Sequence, residues 1–139
     1  MKLVLDSGII IAFAALEKDK SLDSIEKILN LTKSKKIEAF ISSITIAEVF
    51  TCFCRRNDAK KAVEISLFLE EIGIEPVNVN KEIAKNSGVL KSKYKMSFAD
   101  AIIVATAIDR NAHLIAYDKE FEQIKEIRIL KPEDFVKML

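Results

Sequence analysis

Glycine, proline, cysteine and histidine are all scarce, at three, two, two and one in 139 residues, and the formal charges nearly cancel at +1. Each shortage closes off a class of protein. No Gly-, Ser- or Pro-rich tract links separate units, so residues 1–139 are expected to form one domain. A chain of this length buries about two-thirds of its unfolded surface. The near-neutral balance gives no overall field that draws in nucleic acid, so any basic footprint must be local. The lone histidine, His113, opens a strand-like run and leaves no Ser-His-Asp triad, Cys-His pair or histidine zinc cluster. A phosphate-cradling glycine loop is missing as well. Cys52 and Cys54 stand two apart in a helical stretch, on different sides, and cannot close a local disulfide. They are expected to be reduced, buried thiols.

A long apolar run is also missing. Lys2 and the stretch ending Ala12-Phe13-Ala14 have the outline of a secretory leader, but Asp6 interrupts it near its start. The run that follows is short for a membrane span. A cytoplasmic location without a membrane segment is the expectation.

What remains is half hydrophobic and 31% charged, a soluble globular composition. Short β-branched runs alternate with longer helical patterns, which predicts a three-layer α/β/α sandwich with a mostly parallel central sheet. "KLVLD" reads as the first strand, followed by a helix from about Ser7 to Leu16. An amphipathic helix over 21–35 carries Leu22, Ile25, Ile28 and Leu29 on one face, with Ser21 as its cap. "IEAFIS" predicts a strand and "SITIAEVFTCFCRR" a helix directly after it. A helix over 58–73 stops at Gly73, and a short strand follows near "IEPVNV". Helices over 81–95 and 97–111 precede the strand "HLIAY". "EIRIL" predicts an edge strand, and a last helix starts at Pro132.

Four carboxylates fall where parallel sheets bind ligands, beyond the carboxyl ends of strands. Asp6 follows the first strand and Asp118 follows "HLIAY". Glu48 lies in the first two turns of the helix after "IEAFIS", and Asp100 in the first turn of "SFADAIIVATA". Three have ordinary alternatives. Asp6 can cap the helix at Ser7, Ser97-x-x-Asp100 has the form of a capping box, and Asp118 in "YDKEF" can be a turn residue. Glu48 is harder to explain, because Ile46, Ala47, Val49 and Phe50 surround it and no cation stands three or four positions away. One cause covers all four: a hard divalent cation, Mg²⁺ or Mn²⁺, bound by carboxylate oxygens and working on a phosphodiester.

In this order the motifs resemble the PIN-domain family, and most closely its VapC-type toxin ribonucleases. The family's opening L-D-T-N is matched by "LDSGIII", its "AE" helix by "ITIAEVF", its aspartate-led apolar helix by "SFADAIIVATA" and its closing "LVTxDxxF" by "LIAYDKEF". The likeness covers essentially the whole chain. It implies that Asp6, Glu48, Asp100 and Asp118 are catalytic and bind one or two Mg²⁺ or Mn²⁺ ions, with Asp118 most often acting through water. It implies a two-metal-type endoribonuclease, the toxin of a VapBC-type pair, forming a homodimer and held by a VapB-like antitoxin. The helices around Ile25–Leu29 and Ile65–Leu69 are the expected partner surfaces.

Two positions depart from the family pattern. Gly8 replaces an asparagine and Ala116 a threonine, while Ser7 for threonine is milder. Losing such supporting groups typically costs ~10–100-fold in metal affinity or activity. The alternative is therefore a weak or silent PIN domain that acts as an RNA- or protein-binding module. Ser7 and the basic stretch "KSKYK" (Lys91, Lys93, Tyr94 and Lys95) are candidate RNA contacts, with a solvated linker as the plain alternative for the stretch. Arg55, Arg56, Lys60 and Lys61 form a second basic cluster at an expected helix junction. A receiver domain would need an adjacent acidic pair near the first strand and a lysine where Asp118 stands. A D-x-D phosphatase fails at Gly8.

Overall fold

Leu3, Val4 and Leu5 are inaccessible to solvent on both faces, as a strand must be when helices cover each side of a parallel sheet. In the computed structural model, which describes residues 1–139, this strand, β1 (Lys2–Leu5), is the middle of five. The others are β2 (Glu38–Ser42), β3 (Glu75–Val77), β4 (His113–Ile115) and β5 (Ile129–Leu130). Their order is β3-β2-β1-β4-β5, and every pairing is parallel, so the sheet is wholly rather than mostly so. Val4 stands opposite Phe40 on one side and Leu114 on the other.

Alternation along β1 sorts the core into two layers. Leu3 and Leu5 face α1 (Ser7–Ala14), α2 (Leu22–Lys33), α3 (Ser43–Arg55), α4 (Ala59–Glu71) and α7 (Pro132–Lys137), packing with Ile9, Ile28, Val49, Ile65 and Phe135. Val4 faces α5 (Lys81–Lys93) and α6 (Phe98–Asp109), packing with Ile83, Ile103 and Phe121. This is the expected three-layer sandwich. Helix α6 is apolar nearly all round because Ala101 and Ile103–Ala107 are all buried.

The chain builds outward from β1 to β2 and β3, then returns across the sheet to add β4 on the other side of β1. The order therefore reverses between β1 and β4. A crevice opens at such a reversal, beyond the carboxyl ends of the two strands, because their following segments diverge to opposite sides. Asp6 leaves β1 at that end and Asp118 lies three residues past β4. His113 begins β4 at its opposite end. No helix is long and apolar enough to cross a membrane.

Several local expectations need correction. Helix α1 ends at Ala14, not Leu16. Ser21 stands at the N-cap of α2 without a side-chain capping bond; its N–H instead donates to the Tyr117 hydroxyl at 3.1 Å. Cys54 is exposed and Cys52 half-buried, both unpaired. Helix α3 turns Thr45, Val49 and Phe53 inward at four-residue spacing, which leaves Cys52 at the edge of the core and turns Cys54 out to solvent. Ile25, Ile28, Leu29, Ile65 and Leu69 are themselves buried within the chain, so on these helices any partner contact falls to their exposed neighbours. On α4 the exposed apolar side chains are Val63 and Leu67.

Candidate metal centre

Asp6 is buried, at 8% exposure, because it ends the central strand. Its carboxylate caps α1, accepting the Gly8 N–H at 3.3 Å, so the capping expectation holds. The cap does not satisfy the charge. Burial raises the Asp6 pKa to about 7; the nearby Asp100 and, more weakly, Glu48 add to the rise, against the lowering by the Gly8 and Ser7 N–H groups. Gly8 is exposed, and a Cβ there would sit 3.3 Å from Asp6 Oδ2. Any larger residue must fit closely against this carboxylate.

The partner that Glu48 lacks on its own helix comes from α1. Ser7 Oγ donates to Glu48 Oε1 at 2.6 Å and lies 3.1 Å from Thr45 Oγ1. A serine has one hydroxyl proton, so with Glu48 taking it the Thr45 contact uses the threonine's proton. Thr45 and Ser7 are buried, while Glu48 is half-buried. This neutral chain fixes the carboxylate without supplying a positive charge.

Asp100 is held differently. The capping bond at the start of α6 is made by Ser97, whose Oγ accepts the Asp100 N–H at 3.1 Å. The Asp100 carboxylate is not consumed by the cap. Burial pushes its pKa up to about 6, helped by the charges of Asp118, Glu48 and Glu120, with the Ser97 side chain pulling it back. Asp118 is a turn residue as well: its Oδ1 accepts the Glu120 N–H at 2.9 Å and caps a 3₁₀ turn over Lys119–Gln123. That turn delivers Glu120, which the motif reading missed. Oxygens of Asp100, Asp118 and Glu120 lie within 4.8 Å of one another.

Asp6, Ser7, Glu48, Asp100 and Asp118 thus line one open cleft of about 480 Å³, together with Gly8, Ile11, Glu17, Lys20 and Tyr117. Lys91, Lys93, Tyr94 and Lys95 do not line it. Lys91 donates to the Met96 carbonyl at 2.9 Å, and Lys93 and Tyr94 both bind Glu126, at 3.0 and 2.6 Å. The Lys95 carbonyl accepts from Gln123. Arg55 and Arg56 are exposed at the junction of α3 and α4, as expected, and line a shallow depression that shares Ile11 and Glu48 with the cleft.

The donor set is all carboxylate, and burial first, then mutual repulsion, raises two of its members. A divalent cation with oxygen preference, such as Mg²⁺ or Mn²⁺, fits it; a soft metal does not.

The family model for the PIN domain matches residues 3–127. No curated protein matches the sequence. Among solved structures, the fold is similar to VapBC2 from Rickettsia felis bound to a promoter DNA fragment, with TM-score 0.76 and 22% identity over 94% of this chain and 98% of that one. A DNA-bound VapBC from Salmonella typhimurium gives TM-score 0.77 and 20% identity, covering 95% and 98%. VapC20 from Mycobacterium tuberculosis, a sarcin-ricin loop cleaving toxin, gives TM-score 0.70 and 17% identity, covering 91% and 98%.

Proposed function

The chain belongs to the PIN-domain family, and we propose from that premise that it is a metal-dependent endoribonuclease of the VapC toxin type. The observation that carries the reading is the cleft at the β1–β4 reversal, which Asp6, Glu48, Asp100 and Asp118 all line with no cation paired to any of them, and where Asp100 and Asp118, with Glu120, bring oxygens within 4.8 Å of one another. In this reading these four, joined by Glu120, hold Mg²⁺ or Mn²⁺. The bound ion supplies Lewis acidity toward the phosphodiester and a more acidic water.

The chain's own groups prepare that site. Ser7 and Thr45 fix the Glu48 carboxylate, and the Gly8 N–H fixes Asp6. The Ser97 cap spares the Asp100 carboxylate from helix capping. Ala116, buried where the family pattern has threonine, offers no hydroxyl to Asp118 two positions on, so slow turnover is expected. Lys95, whose ammonium has no protein partner, is kept as an outer RNA contact.

Further parts of the reading rest on the similar proteins, several of which are VapBC complexes. We take residues 1–139 as one cytoplasmic domain, homodimeric and held by a VapB-like antitoxin. Exposed Val63 and Leu67 on α4 are apolar positions that a partner could cover. A chain that stays monomeric at micromolar concentration removes the dimer.

The test of function is cleavage of single-stranded RNA. The protein should cut with Mn²⁺ or Mg²⁺ and stop with chelator. Activity that survives both chelator and Asp6→Asn contradicts the assignment. RNA that is bound but never cut makes the protein a binding module.

A further inference from the structure

Nine of the ten residues lining the cleft carry no positive charge; the tenth is Lys20. A lysine beside Asp6, Glu17, Glu48, Asp100 and Asp118 would be expected to fold onto one of them, since an ion pair is the usual fate of a cation in such company. Lys20 forms none. Its ammonium sits over the Tyr117 ring, 4.8 Å from the centroid, where the negative face of the ring attracts it.

Tyr117 is itself fixed from the other side. Its hydroxyl accepts the Ser21 N–H at 3.1 Å, which ties the segment before α2 to the residue preceding Asp118. The Lys20 N–H donates to the Glu17 carbonyl at 3.1 Å, closing a turn that turns the side chain back toward the cleft. Lys20 is half-buried, so its position is held by packing and not only by solvent. Neither Lys20 nor Tyr117 belongs to the motif positions that carry the family resemblance.

This placement has a chemical consequence. A lysine paired with the acids would neutralise them and compete with a divalent ion. A lysine at the rim, held by a neutral aromatic ring, leaves the carboxylates to the cation and keeps its own charge for an anion that arrives alongside. In a cleft lined by five carboxylates the anion that enters is one whose charge the cation offsets, and an RNA phosphate is such a group.

We propose that Lys20, held in place by the Tyr117 ring, is the phosphate-contacting residue of the cleft and grips the RNA backbone beside the bond to be cut. The proposal rests on the ribonuclease reading above. Tyr117 is then a positioning residue, acting on RNA through Lys20. The contact forms when RNA binds, so it governs KM more than kcat.

The experiment compares Lys20→Gln, Lys20→Arg, Tyr117→Phe and Tyr117→Leu with the wild type. Cleavage of single-stranded RNA with Mn²⁺ gives kcat and KM. Fluorescence anisotropy of the same RNA, made uncleavable by 2′-O-methyl groups, on wild-type and Lys20→Gln protein with Mn²⁺ gives affinity as a function of salt. Lys20→Gln should raise KM by ~10-fold, the loss of one charged hydrogen bond. It should also flatten the slope of log affinity against log salt by ~0.7, the value for one phosphate contact to a single strand. Lys20→Arg should restore most of the affinity and the slope. Tyr117→Leu should follow Lys20→Gln, whereas Tyr117→Phe keeps the ring and should fall between. The rise in melting temperature that Mn²⁺ gives the wild type should persist in Lys20→Gln, separating phosphate contact from damage to the cation site.

A Lys20→Gln protein with wild-type KM and an unchanged salt slope, in a wild type that does cut RNA, overturns this inference and leaves the ribonuclease reading standing. Loss of the Mn²⁺ melting shift in Lys20→Gln also overturns it, by making Lys20 part of the cation site's support. A wild type that neither binds nor cuts RNA removes the ribonuclease reading and this inference with it.

Discussion

Asp6 and Glu126 are both carboxylates, and the protein treats them in opposite ways. Glu126 accepts the Tyr94 hydroxyl at 2.6 Å and the Lys93 ammonium at 3.0 Å, and these bonds pull its pKa down to about 2. Asp6 lies at the end of the central strand with other acids for company, and burial lifts it to about 7. One corner of the surface is electrostatically complete; the cleft is not. Of the cleft acids Asp6 is buried, Glu48 and Asp100 are half-buried and Asp118 is exposed, and acids so placed without a cation are, in the proposed reading, a place for an outside positive charge.

That contrast can be broken at several points. The largest effect is expected from Asp6→Asn, which should lower metal-dependent RNA cleavage by ~100-fold or more if, as proposed, Asp6 is a ligand of the cation that supplies the chemistry. Initial rates at saturating Mn²⁺ check it. A loss below tenfold would make Asp6 a helix cap first and a ligand second.

Next comes pH. Asp6 and Asp100 have folded-state pKa values of about 7 and about 6, against an ordinary 3.8. The folded state therefore holds their protons more tightly than the unfolded chain does. The stability this contributes is complete below pH 4 and is lost as pH rises through 6 and 7. Denaturant unfolding in chelator should show metal-free stability falling across that window, by up to about 4 kcal/mol from Asp6. Asp6→Asn should flatten the fall. A stability that rises steadily from pH 4 to 7 would contradict the raised values.

Ser7→Ala is expected to act more gently. It leaves Glu48 without its 2.6 Å donor, and support of this kind is typically worth ~10–100-fold in metal affinity or activity. Titrating Mn²⁺ against cleavage rate separates loss of affinity from loss of turnover. The smallest effect belongs to the paired corner. Lys93→Ala should return Glu126 toward the ordinary carboxylate range by NMR titration, and RNA cleavage should change by less than a factor of two. A large loss of cleavage in Lys93→Ala would restore the "KSKYK" stretch to the RNA path.

Much of the site could be read from the chain because strand ends are marked in it. "KLVL" before Asp6 and "HLIAY" before Asp118 are apolar runs that stop at an acid, and parallel topology then carries both acids to the same edge. Glu48 was visible as an acid with no local partner, though that its fixing donor is Ser7 follows only from the packing of α1 on α3. Glu120 was not visible. Its approach to Asp100 depends on a 3₁₀ turn, whose i to i+3 spacing leaves no periodic trace in so short a segment. In hindsight the signal is an acid two residues past Asp118. Which side chains of the expected partner helices are exposed was not legible for a related reason. Ile25–Leu29 and Ile65–Leu69 form apolar stripes, and periodicity tells that a stripe is covered but not whether the cover is this chain's own sheet or another molecule.

The central claim, that the cleft acids are arranged for a cation and not for one another, is tested most directly at Asp100, where cap and ligand readings differ in sign. Thermal melts of wild type and Asp100→Asn are taken with chelator and with millimolar Mn²⁺. A ligand in a repelling cluster predicts that the variant melts at or above the wild type in chelator. It also predicts that the variant loses most of the Mn²⁺ shift, which for the wild type follows RT ln(1 + [L]/Kd). A variant that melts lower in chelator and keeps the full Mn²⁺ shift would return Asp100 to a helix-end residue and contradict the account.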